Sequence, residues 1–126
     1  MIVAGFGFRS DTGLSSLRAV LALAQQGHGA ATALAAPQDK APALTALAEA
    51  LGLPVIAIPP QALAAAPTLT RSAASLAARG TGSVAEAAAL AAAGLGARLL
   101  GPRHVSLDRR ATCALAASAP AQGTLE

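Results

Sequence analysis

Between Ile2 and Ile58, three short apolar runs alternate with two stretches of helical spacing, and this alternation constrains the fold more than any other feature. Ile2 to Phe8 is rich in strand formers and gives way to the polar turn Arg9-Ser10-Asp11-Thr12, as expected of a buried first strand. Asp11 or Thr12 can cap a helix whose apolar positions Leu14, Leu17, Leu21 and Ala24 recur at helical intervals. Gly27 suits its C′ position. Ala31 to Ala35 reads as a second strand and Pro37 to Lys40 as a loop. Leu44, Leu47 and Leu51 mark a second helix, with Pro42 at its start and Gly52 at its end. Val55-Ile56-Ala57-Ile58, closed by Pro59-Pro60, is the clearest strand. Strand, helix, strand, helix, strand predicts an α/β fold: one three-layer α/β/α domain over residues 1–126. Its sheet should hold about five strands, largely parallel or mixed, with helices on both faces.

The second half continues more loosely. Gln61 to Thr70 is irregular or a short helix broken at Pro67, and Arg71 to Arg79 is a helix stopped by Gly80. The stretch Gly80-Thr81-Gly82-Ser83-Val84-Ala85-Glu86-Ala87-Ala88 is a glycine-rich turn entering a helix that runs to about Ala93. Ser83 and Glu86 are spaced as a capping box: the hydroxyl accepts from the N3 amide, and the carboxylate reaches back to the cap amide. Ala97 to Leu100 is a brief strand, Gly101 to Arg110 a basic loop, Thr112 to Ala117 a last strand, and 118–126 a frayed tail. No internal repeat or long linker divides the chain.

Composition narrows the chemistry. With no Trp or Tyr and only Phe6 and Phe8 as aromatics, the interior must be Leu, Val, Ile and Ala packed at short range. The formal charge is +3, and every cation except Lys40 is Arg, a residue suited to planar recognition of carboxylate and phosphate. Scattered arginines without an aromatic platform argue against a nucleic-acid partner. The lone Cys113 excludes an internal disulfide and is expected to be a small core residue. No apolar run approaches the roughly 18–20 residues of a membrane span, and Met1 to Gly5 lacks the basic start of a signal peptide. A cytoplasmic protein with no membrane partner is therefore expected.

Ligands of open α/β sheets sit at the carboxyl ends of strands, where loops lead into helix starts. Three loops here carry suitable groups: Gly5 to Thr12, Pro37 to Lys40, and Gly80 to Ser83. Together Gly5, Gly7, Arg9, Ser10, Asp11, Thr12, Asp39, Lys40, Gly80, Thr81, Gly82 and Ser83 form a candidate anion-binding constellation of cations, hydroxyls and backbone amides. Gly5-Phe6-Gly7 is no dinucleotide fingerprint, because the third glycine and the distal acid are missing. Asp39 beside Lys40 reads as a solvated turn, and Glu86 as a capping residue. His28 follows a helix end, and His104 stands too far from Cys113 or other ligands to suggest a metal. No metal site and no cofactor are expected, and no Ser-His-Asp order or carboxylate pair marks a catalytic centre.

Three segments taken together resemble the CobE / CbiG C-terminal domain family of cobalamin biosynthesis. They are Gly5-Phe6-Gly7-Phe8-Arg9-Ser10-Asp11-Thr12, the loop Asp39-Lys40, and Gly80 to Ala88; Leu99 to Arg103 leading into Thr112 to Ala116 completes the pattern. In that pattern Phe8 replaces the usual Cys and Ser10 the second Arg. The resemblance spans essentially the whole chain, and the Gly80 segment carries it most specifically. It implies an α/β domain acting in the corrin-ring stage of vitamin B12 synthesis, where the intermediates bear many carboxylate arms.

Three functions are compatible with it. An accessory protein would bind a carboxylate-rich precorrin or corrin intermediate through Arg9, Lys40 and the Gly80 to Ser83 amides. A hydrolase would act on a precorrin lactone with loss of a two-carbon unit, using Asp11 or Glu86 as general base if burial raised its pKa. A non-catalytic adaptor would dock on another enzyme of the pathway. Likeness to a C-terminal domain favours binding.

Overall fold

The structure, a computed structural model, describes residues 1–119. The expected frayed tail lies, from residue 120 onward, outside the described residues. The elements are β1 (Ile2–Phe8), α1 (Leu14–Gln25), β2 (Ala33–Pro37), α2 (Thr45–Leu51, entered through the 3-10 turn Ala41–Leu44), β3 (Val55–Ile58) and α3 (Pro60–Ala65). They continue with α4 (Ala73–Arg79), α5 (Val84–Ala93), β4 (Arg98–Leu99), β5 (His104–Val105) and β6 (Ala111–Ala117).

The sheet order is β3-β2-β1-β6-β4, with β5 also paired to β6. Strands β1, β2 and β3 are parallel, with Val3 opposite Ala33 and Ala35 opposite Ile56. β6 runs antiparallel to β1 along its whole length, from Ile2 opposite Ala117 to Phe8 opposite Ala111. The sheet is thus mixed, with six strands where about five were expected. The sixth is β5, a two-residue strand inside the segment expected to be a basic loop; it folds back on β6 as a hairpin. A two-residue strand is too short to leave an alternation in the sequence.

Helices cover both faces, giving the three-layer α/β/α architecture. Against one face α1, α2 and the 3-10 turn before α2 bury Leu17, Val20, Leu21, Leu44 and Leu47 on Ala4, Phe6, Leu34, Cys113 and Leu115. Against the other, α3 and α5 cover Val3, Ala33, Ala35 and Ile58 with Leu63, Ala87 and Ala88. Alternate residues of β1 and β2 thus enter opposite cores, as the period of two requires. The first face takes large side chains, whereas the second is lined chiefly by alanine, so α5 lies much closer to the sheet. Gly5 is where this approach is tightest. A Cβ there would fall under 3 Å from the Ala85 carbonyl oxygen, the Ala89 amide nitrogen and the Ala89 methyl.

The start of α1 differs from expectation. Its N-cap is Gly13, without a side-chain capping bond. Asp11 and Thr12 turn instead toward Arg110: the Arg110 guanidinium donates to Asp11 Oδ2 at 2.5 Å, and Thr12 Oγ1 donates to the Arg110 carbonyl at 3.1 Å. A partner at the entry to β6, nearly a hundred residues away, outcompetes the local cap.

Because two of the atoms crowding Gly5 belong to helix backbone, they cannot step aside as a flexible side chain would. Gly5→Ala should destabilise the protein by about 3 kcal/mol or more. Gly101→Ala, where an added Cβ meets nothing within 4 Å, should change stability by less than about 1 kcal/mol. Chemical denaturation of the two variants checks this contrast.

Candidate functional site

The parallel strands β1, β2 and β3 all point their carboxyl ends toward one edge of the sheet. Two of the three candidate loops leave from there. After β1, Arg9 N donates to the Arg110 carbonyl and Thr12 N to the Arg9 carbonyl, so the turn is anchored through its backbone while the Arg9 side chain stays exposed. After β2, Gln38 N donates to the Ile58 carbonyl of β3, and Lys40 N closes a turn on the Pro37 carbonyl. Lys40 then reaches across to the first loop. Its Nζ donates to Ser10 Oγ at 3.0 Å and stands 5.5 Å from the centre of the Phe8 ring. An ammonium over an aromatic face is attracted by the ring quadrupole, so Phe8 and Ser10 together fix where this charge sits.

Asp39 is exposed, as expected of a solvated turn, but it is ion-paired. The Arg79 guanidinium at the end of α4 grips it with both arms, at 2.7 and 2.8 Å. This pair ties the segment before Gly80 to the second loop, and the hydrogen bond from Arg79 holds the Asp39 carboxyl below its usual range. Arg79 escaped the sequence reading because its partner is 40 residues away, with no spacing rule to connect them.

The third loop arrives buried. Gly80 is exposed with a left-handed φ of 71°, but Thr81, Gly82 and Ser83 are closed off from solvent. Gly82 is packed so tightly on Thr68, Thr70 and Arg71 that no side chain fits there. Ser83 Oγ accepts from Glu86 N at 3.2 Å, which is the first half of the capping box. The second half does not form: Ser83 N donates to Thr81 Oγ1 at 3.4 Å, and the Glu86 carboxylate turns elsewhere.

Glu86 is completely buried and receives four hydrogen bonds. Leu69 N and Thr70 N donate to Oε1 at 2.6 and 2.9 Å, while Thr70 Oγ1 and Arg103 N donate to Oε2 at 2.5 and 2.8 Å. Its carboxylate therefore clamps the segment before α4 and the turn after β4 onto the start of α5. Burial pushes its pKa up, but the donors from Thr70, Arg103 and Leu69 outweigh burial and leave it lowered. The condition set for Glu86 as a general base, a raised pKa, is not met. Asp11 also lies below its usual range, held there chiefly by the hydrogen bond from Arg110. Both candidate bases stand ionised in internal contacts. Cys113 is buried, and burial pushes its thiol up.

A groove of about 540 Å³ lies apart, between α1 and the turn Ser106 to Asp108. Asp108 beneath it bonds the hydroxyls of Ser106 and Ser16, which hold its pKa at about 2. With one acid and no Arg or Lys in its lining, this groove offers a polycarboxylate no cationic partner. Among the described residues, no three His, Cys, Asp or Glu side chains gather as metal ligands, and no helix is long and apolar enough to cross a membrane.

Mixed strand order, helices on both faces and polar loops at the parallel strand ends define a three-layer α/β/α domain with an open sheet. The family model for the cobalamin synthesis G C-terminus matches residues 2–116. Among solved structures, the chain is similar to CobE, a protein from the cobalamin (vitamin B12) biosynthetic pathway. The identity is 38%, covering 92% of this chain and 89% of that one, with a TM-score of 0.80. It is similar also to the cobalamin biosynthesis protein ChiG from Agrobacterium tumefaciens, at 32% identity over 95% of this chain and 100% of that one (TM-score 0.72). A putative cobalamin biosynthesis protein G homologue from Sulfolobus solfataricus shares the fold at 18% identity, covering 91% of this chain and 36% of that one (TM-score 0.72). No curated protein sequence matches. The chain belongs to the cobalamin synthesis G C-terminus family, and is a protein of cobalamin biosynthesis.

Glu86 sets a specific acid response. Its folded pKa lies below the ordinary value of 4.5, so its contribution to stability is full above that value and is lost as pH falls through the folded one. Glu86→Gln, which leaves several buried donors facing an amide, should cost about 2–4 kcal/mol at pH 7. The variant should also lose less further stability than the parent between pH 4.5 and 2.5. Denaturation curves across that range check both statements, since Asp11, Asp39 and Asp108 act alike in both proteins.

Proposed function

We propose that the protein binds a carboxylate-rich precorrin or corrin intermediate at the carboxyl ends of β1 and β2, beside the turn Gly80 to Ser83. The observation that carries this reading is the convergence of the first two loops on Lys40. Its ammonium, fixed between Ser10 and Phe8, stands next to the exposed Arg9 turn, so two cations from distant parts of the chain flank one edge. Ring carboxylates would accept charge-assisted hydrogen bonds from both. The third loop contributes differently from the sequence expectation. Thr81, Gly82 and Ser83 are buried, so the turn serves as a wall, with the exposed Gly80 at its rim.

Binding fits the site better than lactone hydrolysis. A general base needs reach to a water and a pKa near working pH, whereas Glu86 is fully enclosed and Asp11 is ion-paired. The family's place in cobalamin biosynthesis supplies the ligand class, and the cations supply its recognition.

Titration with hydrogenobyrinic acid, followed by its visible absorption and by co-elution, tests the proposal. Binding is expected at tens of micromolar or below, and Lys40→Ala should weaken it about tenfold, the worth of one charge-assisted bond. Absence of a spectral shift and of co-elution would overturn it. Capture of a pathway enzyme regardless of tetrapyrrole would favour an adaptor instead.

A further inference from the structure

We propose that Arg79 is a third cation for the same anionic ligand, and that Asp39 holds it in reserve as an internal stand-in for a ligand carboxylate. The inference rests on the binding reading above and adds to it a residue and a control.

Position comes first. Asp39 immediately precedes Lys40, so its ion pair with Arg79 stands on the same loop as the cation already placed at the strand ends. The grip is the bidentate fork that Arg makes with any carboxylate, and a ligand arm can present the same two oxygens. Arg79 is thus already in the geometry required for a carboxylate at this edge, with a protein carboxylate occupying it.

The exchange is cheap on each side. The Asp39 side chain is 62% exposed and returns to water when released, whereas Arg79 is 27% exposed and stays sheltered against the protein. An exposed ion pair contributes little net stability, because water and ions replace it readily. The helix bearing Arg79 is lightly packed: apart from the enclosed Ser75 hydroxyl it has no buried residue, and Leu76 on it is 39% exposed. Its flanks are well fixed. Thr70 is clamped by Glu86, Ser72 N donates to the Gly82 carbonyl, and Gly80 supplies a left-handed joint directly after Arg79. A loosely packed helix between two firm anchors, latched at its end by one ion pair, is built to shift its cation by a small distance without unfolding.

Charge count supports the same role. With Asp39 in place, the edge offers Lys40 and Arg9 against Asp39 and Asp11, of which Asp11 is already paired with Arg110. Once the Asp39 carboxylate swings out, Arg79 joins them, and a ligand with several carboxylate arms gains one more partner than a monocarboxylate can use. The latch therefore selects for polycarboxylates.

Asp39→Asn, Arg79→Gln and the double variant test this by titration with hydrogenobyrinic acid, alongside hydrogen exchange of the ligand-free proteins. Asp39→Asn should bind about two- to fivefold tighter than the parent, the range set by releasing one exposed ion pair. Arg79→Gln should bind more weakly than the parent, and the double variant should match Arg79→Gln. Without ligand, the α4 amides should exchange faster in Asp39→Asn. Parental binding with an unchanged or weakened Asp39→Asn would overturn the latch and leave the binding reading standing. Unchanged α4 exchange would also overturn it. Failure of every variant to bind, with faster exchange in Asp39→Asn, would overturn the binding reading and with it the ligand role of Arg79.

Discussion

Neither Gly5 nor the alanines of α5 carry a side chain beyond Cβ, and so the backbone of that helix settles directly on the central strand of the sheet. Ala85 and Ala89 sit where a Cβ on Gly5 would have to be. An interior almost without aromatics achieves density by such close approach, since many short-range dispersion contacts replace a few large rings. The cost is tolerance: a surface that meets backbone to backbone has no flexible atoms to absorb an extra methyl. The position of α5, and of everything attached to its start, follows from this one contact.

What is attached is held by a buried charge. Glu86, at the third position of α5, gathers amides from Leu69, Thr70 and Arg103 and the Thr70 hydroxyl. Among the described residues no cation pairs with it. Its negative charge is compensated by dipoles alone, including the helix start on which it sits. Four donors converging on one carboxylate explain why the residue is ionised despite its burial. They also tie the segment before α4 and the turn after β4 to the start of α5.

Much of this was legible in the sequence, and the failures share a cause. The strand-helix alternation from Ile2 to Ile58 specified the parallel half of the sheet, because each period is written locally. The glycine-rich turn before α5 and its Ser83 cap were likewise local. Missed features depended on partners remote in sequence. Asp11 and Thr12 chose Arg110 over capping α1, Asp39 gained Arg79 as a partner while staying exposed, and Glu86 abandoned the reciprocal cap for amides 16 and 17 residues away. A spacing rule sees only groups within one or two turns, whereas backbone amides brought by distant loops leave no mark on residue identity. The meeting of Lys40 with Ser10 and Phe8 was accessible only as the general rule that loops converge at parallel strand ends.

A crystal structure with hydrogenobyrinic acid bound bears most directly on the claim that this edge recognises a polycarboxylate. The account predicts ligand carboxylates within hydrogen-bonding distance of Lys40 Nζ and the Arg9 guanidinium, with the macrocycle lying along the carboxyl ends of β1 and β2. A corrinoid seated in the groove between α1 and the Ser106 to Asp108 turn, with no carboxylate near Lys40, would contradict it.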